Sequence, residues 1–267
     1  MILVSSLRSK IVEWSPAIAT ILLVLVIWEV LVNALDIQRW LLPAPTVIAS
    51  EIVDSLDSLV RHTGITLFET VLGFGISVIC AVLLATAIVW SRTVERSTYP
   101  LIIASQTIPI ITLAPLLIIW VGTDIRSKVI IIVLFTFFPI VISLVQGLRS
   151  VEQDMVDLFR TLGASPIQIF NKLMIPSALP SFFSGLKVAA VFSVIGAVIG
   201  EWFGSSAGLG WLMKIAGGQL QTAKVFAAIF VLSIMAMLLF ALVVAVEKWS
   251  LRKYPPTAER FTHLGES

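Results

Sequence analysis

The chain has very little cysteine, histidine and charge. Its 267 residues include one cysteine, two histidines and only 13% charged residues. The single Cys80 lies in an apolar run, so it can form no intramolecular disulfide and shows no metal-ligand spacing. His62 and His263 are far apart in the sequence, which argues against a metal or catalytic role for either. The net charge of +2 indicates no nucleic-acid partner.

Motifs that carry chemistry are also missing. No G-x-x-x-x-G-K-[ST] phosphate loop occurs, and no Ser-His-Asp, H-E-x-x-H or usable paired-carboxylate pattern is present. Gly208-Leu-Gly210 resembles part of a nucleotide loop, but no strand precedes it. We therefore expect the chain to have no catalytic residues and to bind no cofactor or metal.

Apolar residues, in contrast, are abundant. They make up 58% of the chain, and the mean hydropathy of +1.03 is far above that of soluble globular proteins. A helix needs about 20 mostly apolar residues to cross a bilayer. The sequence predicts an all-α, polytopic membrane protein, a single transmembrane domain over residues 1–267 with about six transmembrane helices: Pro16–Leu35, Gly64–Trp90, Tyr99–Val121, Val129–Gly147, Ser184–Phe203 and Ala223–Val246.

The distribution of lysine and arginine predicts how these helices are oriented. With the N-terminus inside, twelve of the 18 lysines and arginines fall on the cytoplasmic side, Arg8, Lys10 and Arg260 among them, and six fall outside. Because positive charge is retained in the cytoplasm, both termini are expected there. The polar segment Ser150–Pro180 then lies in the cytoplasm as well.

Ser150–Pro180 has the sequence features of two short helices. Ser150 with Gln153 and Ser165 with Gln168 both have capping-box spacing. Gly163 lies where the first helix needs a left-handed C-terminal residue.

Two prolines bound the second of these helices. Pro176 is expected to end it, and Pro180 is expected to keep the chain irregular before the next span. Apolar residues recur along the first helix at helical spacing, at Val151, Met155, Leu158, Phe159 and Leu162. The spacing alone fits a hairpin that merely connects two spans equally well.

The residues of this segment resemble a known family. Asp157-Leu-Phe-Arg160-Thr-Leu-Gly163-Ala-Ser-Pro-Ile-Gln-Ile-Phe170, followed by Pro176 and Pro180, resembles the cytoplasmic loop of bacterial ABC-importer permeases. Asp157 stands where that family usually has Glu, and Leu158 and Phe159 stand where it has two alanines.

The resemblance implies a coupling loop at about residues 150–180 that docks on a separate ATP-hydrolysing subunit. The partners implied are a second copy of the chain, two ATPase subunits that bind ATP and Mg²⁺, an external solute-binding protein, the lipid bilayer and a small solute. The location implied is the bacterial inner membrane. The implied coupling residues are Asp157, Arg160, Gly163, Ala164, Ser165, Phe170, Pro176 and Pro180.

Three further segments resemble one branch of these permeases. Gln106–Gly122 and Leu42–Pro45 resemble the nitrate, sulfonate and taurine importers. The Gly- and Ser-rich Gly200–Met213 is expected to form an irregular loop, and with Gln219–Thr222 it resembles permeases for the thiamine-precursor pyrimidine. Permeases for sulfonate, taurine, nitrate or riboflavin remain alternatives.

The fifth span supplies the candidates for a solute pathway. Its small residues permit close approach of a helix or of solute, and Glu201 is expected at the outer mouth, ionised by water. The candidate pathway residues are Ser193, Gly196, Gly200 and Glu201. Alternatively, these residues pack on a neighbouring span of the same subunit. For Glu29 and Glu69, also at membrane depth, hydrogen bonds between helices are expected.

Two other functions are alternatives to the importer subunit. An ion-coupled secondary transporter would be expected to show an inverted repeat and intramembrane carboxylates in a row, and the sequence shows neither convincingly. A membrane enzyme or scaffold remains a third alternative, although no catalytic constellation is present.

Overall fold

The computed structural model describes the backbone of residues 2–105 and 107–253, and side chains at 15, 16, 18–105 and 107–252. Arg260 and His263, and the side chains of Arg8 and Lys10, lie outside this range. Within it the chain is helical and has no strand. The helices are α1 (Ile2–Ala34), α2 (Pro45–Asp54), α3 (Leu56–Trp90), α4 (Arg92–Ser105), α5 (Ile110–Val121), α6 (Ile125–Arg149), α7 (Gln153–Thr161), α8 (Pro166–Ile169), α9 (Ile175–Gly204), α10 (Leu209–Gly218) and α11 (Thr222–Lys253), with a π-helical turn at Phe170–Met174.

The predicted all-α membrane fold is confirmed, whereas the count of six spans stays a prediction. Among the described residues, four helices are long and apolar enough to cross a bilayer: Leu56–Trp90, Ile125–Arg149, Pro166–Gly204 and Thr222–Arg252. The pair α4 and α5 adds a fifth if it counts as one broken span, and Ile18–Ala34 is a shorter apolar helix.

The third predicted span, Tyr99–Val121, is wrong as a continuous helix. The chain leaves the helix after Ser105 and enters α5 at Ile110, with Pro109 as the extended N-cap residue. Proline disfavours helical backbone at the residue before it and has no N–H to donate to the preceding turn. Two helices therefore replace one.

The predicted helix end at Pro176 and the predicted irregular backbone at Pro180 are also wrong. From Pro166 the chain stays helical to Gly204. A π-helical turn ends at Met174, so Pro176 falls in the first turn of α9, where a missing N–H costs little. Pro180 lies inside α9, as prolines are tolerated inside membrane helices. The second short helix is thus the beginning of a spanning helix.

The described residues form two compact units. One takes in the chain up to Val60 together with Leu212–Phe230, and the other takes in Arg61–Trp211 and the chain from Val231 onward. In the first unit, the Glu29 carboxylate accepts hydrogen bonds from the Thr46 backbone N–H (3.1 Å) and hydroxyl (2.8 Å). The prediction that Glu29 joins two helices is confirmed, because it ties α1 to the N-terminus of α2.

The core of the second unit lies where α6 packs along α9. Glycines permit the close approach: a methyl group at Gly185 would lie 2.7 Å from the Cβ of Ser143, and one at Gly196 would lie 3.0 Å from the Cα of Ile132. A layer of apolar side chains fills the contact: Ile140, Val141, Leu144, Val145, Leu148, Ala178, Phe183, Leu186, Ala189 and Ala190.

Candidate functional site

The turn of the hairpin has the predicted geometry. Gly163 has a φ of +80°, in the left-handed region that a β-carbon disfavours. Its N–H donates to the carbonyl of Arg160 (2.9 Å), and the Ala164 N–H donates to that of Phe159 (2.9 Å). This pair of bonds is a Schellman motif, which ends α7. Gly163 is therefore needed for its backbone conformation.

The two predicted capping boxes have different outcomes. At α8 the box is confirmed, because Ser165 Oγ accepts from the Gln168 N–H (3.3 Å) and the Ser165 N–H donates to the Gln168 side chain (2.8 Å). At Ser150 the prediction is wrong. Ser150 has helical backbone angles and completes the last turn of α6, where its hydroxyl donates to the carbonyl of Gly147 (2.9 Å). An N-cap needs an extended backbone, and Glu152 supplies it for α7.

The outer side of the hairpin presents apolar side chains. Leu158 is 50% exposed, Leu162 75% and Ile167 60%. The predicted apolar stripe is therefore only partly buried. Met155 and Phe159 are half-buried, whereas Leu158 and Leu162 are exposed. Large apolar side chains this exposed are typical of a surface that another protein or the membrane contacts. We call Leu158, Leu162 and Ile167 the hairpin patch.

Charged residues lie beside the hairpin patch. Arg160 Nη1 is 3.0 Å from Asp157 Oδ1, and both side chains are more than half exposed. A pair this exposed adds under about 1 kcal/mol to stability. Both groups are accessible to a partner.

The inner side of the hairpin borders a cavity of about 570 Å³. Ala164 and Phe170 line it, and the Phe170 ring meets that of Trp90 edge-on at 5.1 Å. Of the eight predicted coupling residues, the structure thus places six on one hairpin. Pro176 and Pro180 lie further along, inside the spanning helix.

The predicted pathway face of α9 is buried within the subunit. Ser193, Gly196 and Gly200 are all buried. A methyl group at Gly196 would lie 3.0 Å from the Cα of Ile132, and one at Gly200 would lie 3.2 Å from the Cα of Lys128. Gly196 and Gly200 pack against α6 in the single subunit, as the alternative interpretation stated. That these residues line the central cavity of a dimer stays a prediction.

The predicted water-exposed position of Glu201 is also wrong. Its side chain is fully buried. The Thr66 hydroxyl donates to Oε1 (2.7 Å) and the Gly210 N–H donates to Oε2 (2.5 Å). The segment Gly200–Met213 is mostly helical rather than irregular, with only Ser205–Gly208 outside α9 and α10. Glu201 thus accepts one backbone N–H from α10 and one hydroxyl from α3.

A second buried carboxylate lies close by. Lys128 Nζ is 2.7 Å from Glu69 Oε1 and 2.9 Å from Ser205 Oγ. The prediction that Glu69 bonds between helices is confirmed, because Lys128 is on α6 and Glu69 on α3. We call Thr66, Glu69, Lys128, Glu201 and Ser205 the polar cluster.

Sequence reasoning missed Lys128 and Thr66. Lys128 is one of the six charges that the predicted topology puts outside the membrane, yet it is buried at the first turn of α6. The sequence did contain a signal for this ion pair, since one lysine lies near a span and two glutamates lie within spans. A charge at membrane depth needs a partner of opposite sign. Near the middle of α9, Lys187 Nζ is 3.0 Å from Glu247 Oε2. Each intramembrane charge described here thus has a partner.

Long apolar helices with paired internal charges and an exposed hairpin between two spans are features of a multi-pass transport protein. The chain belongs to the family of binding-protein-dependent transport system inner membrane components, whose model matches residues 73–253. It is the membrane-spanning permease subunit of an ABC importer. In this family ATP hydrolysis lies in separate subunits, so the chain is not itself an enzyme.

Curated relatives cover most of the chain. It is 41% identical over 227 residues to the formylaminopyrimidine transport permease protein ThiX of Halalkalibacterium halodurans, covering 85% of this chain and 90% of that protein. It is 33% identical to the riboflavin transport system permease protein RibX of Chloroflexus aurantiacus (90% and 91% covered). It is 28% identical to the taurine transport system permease protein TauC of Escherichia coli (84% of each).

The fold also matches a solved structure. A chain of the MetNI methionine ABC transporter, in an inward-facing conformation, superimposes with a TM-score of 0.60 at 16% identity. The match covers 72% of this chain and 98% of that one. At this identity the likeness shows the fold alone.

Proposed function

We propose that this permease works as a homodimer with two ATPase subunits that bind ATP and Mg²⁺, and that it imports a small pyrimidine of the formylaminopyrimidine class. A solute-binding protein delivers the solute on the outer face, and both termini of the permease are cytoplasmic. The observation that carries the coupling role is the hairpin patch. The observation that supports the solute is the 41% identity with ThiX.

The hairpin patch suits a docking surface on the ATPase. Burying an exposed leucine contributes about 1.5–3 kcal/mol, and three exposed large apolar side chains flank the Schellman turn in the sequence. Asp157 and Arg160 form a charged rim beside them. The hairpin leads into the 39-residue helix Pro166–Gly204, so we expect movement at the patch to reach a spanning helix.

Leu162→Glu tests the docking surface. The substitution places a charge in the proposed apolar contact, so co-purification with the ATPase should fall about tenfold or more. Leu41→Glu is the matched control, because Leu41 is similarly exposed but lies in the loop between α1 and α2. If both variants retain the ATPase equally well, the hairpin patch is not the docking surface.

Uptake measurements test the solute. Cells that express the permease with its ATPase and cognate binding protein should take up labelled formylaminopyrimidine in a saturable, ATP-dependent way. Excess riboflavin or taurine should not compete. Uptake of labelled riboflavin with no uptake of the pyrimidine would instead favour riboflavin as the solute, as for RibX.

The pathway is proposed on the opposite face of α9. Val188, Phe192 and Ile195 are exposed there in the single subunit, and we propose that this face meets the second copy and the solute. A lipid-facing α9 is the competing arrangement.

A further inference from the structure

The cavity of about 570 Å³ lies between the hairpin and the ends of α3 and α6. We call it the inner cavity. Its volume is within the range of about 300–1,000 Å³ that is usual for small-molecule sites. None of the three residues of the hairpin patch lines it. A ligand in the inner cavity would therefore leave the hairpin patch uncovered.

The inner cavity lies at the ends of two spanning helices. Trp90 is the last residue of α3 and Arg149 is the last residue of α6, and both side chains line the cavity. Since both helices are long and apolar enough to cross a bilayer, their ends lie near one surface of the membrane. Tryptophan is enriched at that depth because its amphipathic ring suits the headgroup region. The position of the inner cavity is thus the level of the lipid headgroups.

The lining of the inner cavity is divided into an apolar part and a hydrogen-bond-donating part. Val89 and Leu148 belong to the apolar part, and Gln153, Arg149 and Arg160 belong to the donating part. Among the described residues, the charged side chains that line the cavity are these two arginines. The lining therefore carries two positive charges, and a ligand that matches it is both anionic and partly apolar.

The two arginines are held in place and still have donors available. Arg149 Nη2 is 2.8 Å from Glu95 Oε1, and Arg160 Nη1 is 3.0 Å from Asp157 Oδ1. Each of these ion pairs joins one nitrogen of a guanidinium group that has five N–H donors. The side chains of Arg149 and Arg160 are 40% and 62% exposed. Because the fork of N–H donors matches the oxygens of a phosphate, both side chains suit a phosphate ligand.

We propose that the inner cavity binds the headgroup of an anionic phospholipid. The phosphate lies against Arg149 and Arg160, and the first part of the acyl chains lies against Val89, Leu148 and Trp90. A lipid matches the lining better than a soluble anion does, because only the lipid also covers the apolar part. The headgroup then joins the end of α6, through Arg149, to the hairpin, through Arg160. The lipid thus braces the hairpin against the spanning helices.

Native mass spectrometry of the purified full-length permease, titrated with phosphatidylglycerol, tests the charged part of the site. The permease should retain phosphatidylglycerol in preference to phosphatidylcholine at equal concentration. A basic residue near a lipid surface contributes about 1 kcal/mol, so Arg149→Gln and Arg160→Gln should each lower the affinity roughly fivefold. Arg126→Gln is the matched control, because Arg126 is exposed at the opposite end of α6. An equal loss in Arg126→Gln, or equal retention of the two lipids, overturns the proposal.

A variant that keeps both arginines tests the cavity itself. Val156 lines the inner cavity, so Val156→Trp narrows it without removing a charge or an ion pair. Affinity for phosphatidylglycerol should fall, while Val53→Trp, at an exposed position on α2, should leave it unchanged. Wild-type affinity in a Val156→Trp permease of normal Tm would refute the site.

Inorganic phosphate distinguishes a lipid from a free anion. An excess of phosphate should leave the phosphatidylglycerol bound, because the acyl chains contribute contacts that phosphate lacks. Release of the lipid by phosphate would show that the inner cavity is an anion site without an apolar contact, and the proposal would fail. Release of the lipid on addition of the ATPase subunit would instead assign the inner cavity to that partner, which also overturns the proposal.

Discussion

Gly163→Val is the sharpest test of the hairpin. A methyl group built at Gly163 meets no atom within 4 Å, so the cost of a side chain is conformational and not steric. At a φ of +80°, a β-carbon costs about 1–2 kcal/mol, and a β-branched residue costs more. Since 1.4 kcal/mol is about tenfold in population, the ratio of closed to open Schellman turns should fall about tenfold or more.

The consequence should be loss of coupling without loss of insertion. The variant should reach the membrane in normal amount, yet co-purify poorly with the ATPase and lose transport-linked ATP hydrolysis. Gly163→Asn, which tolerates left-handed backbone, should keep most activity. Gly75→Ala is the matched control, because Gly75 in α3 is also open but has no positive φ. Normal coupled hydrolysis in a well-expressed Gly163→Val complex would refute the reasoning.

Two further predictions concern the charged rim of the hairpin and the exposed face of α9. Asp157→Lys removes an exposed ion pair with Arg160, so the Tm should barely change. Binding to the ATPase, measured by titration of the purified subunits, should weaken. Unchanged binding would show that the charged rim is simply solvated. In a Cys80→Ser background, a cysteine at Ile195 should react with a membrane-impermeant thiol reagent in at least one state of the transport cycle. A cysteine at Ser193 should stay unreactive because that side chain is buried. The reverse pattern would show that the face with Ser193 lines the pathway.

Local features of the chain were predictable because they depend on near neighbours in sequence. Gly163 and the Ser165–Gln168 box are determined within a few residues, by a backbone requirement and by a side chain's reach. The same reasoning failed at Ser150, because α6 is long enough to use that residue in its own last turn. It failed again at Pro176, because a π-helical turn moves the proline into the first turn of a new helix.

The direction in which α9 faces could not be predicted from α9 alone. Small residues at Gly196 and Gly200 permit close approach without specifying what approaches. The structure shows that α6 does, at Ile132 and Lys128. The outward face, which includes Ile195, became identifiable only after that packing was known.

Composition and hydropathy by themselves determined that this chain is a helical membrane protein, because a bilayer requires long apolar segments whose backbone groups are satisfied internally. The family could be inferred from one polar hairpin, because Gly163 and its neighbours meet a local geometric need. Only the tertiary structure decided the roles of Glu69, Lys128 and Glu201. They lie on three different helices, and a buried charge takes its partner from whatever helix packs beside it, which no local pattern in the sequence encodes.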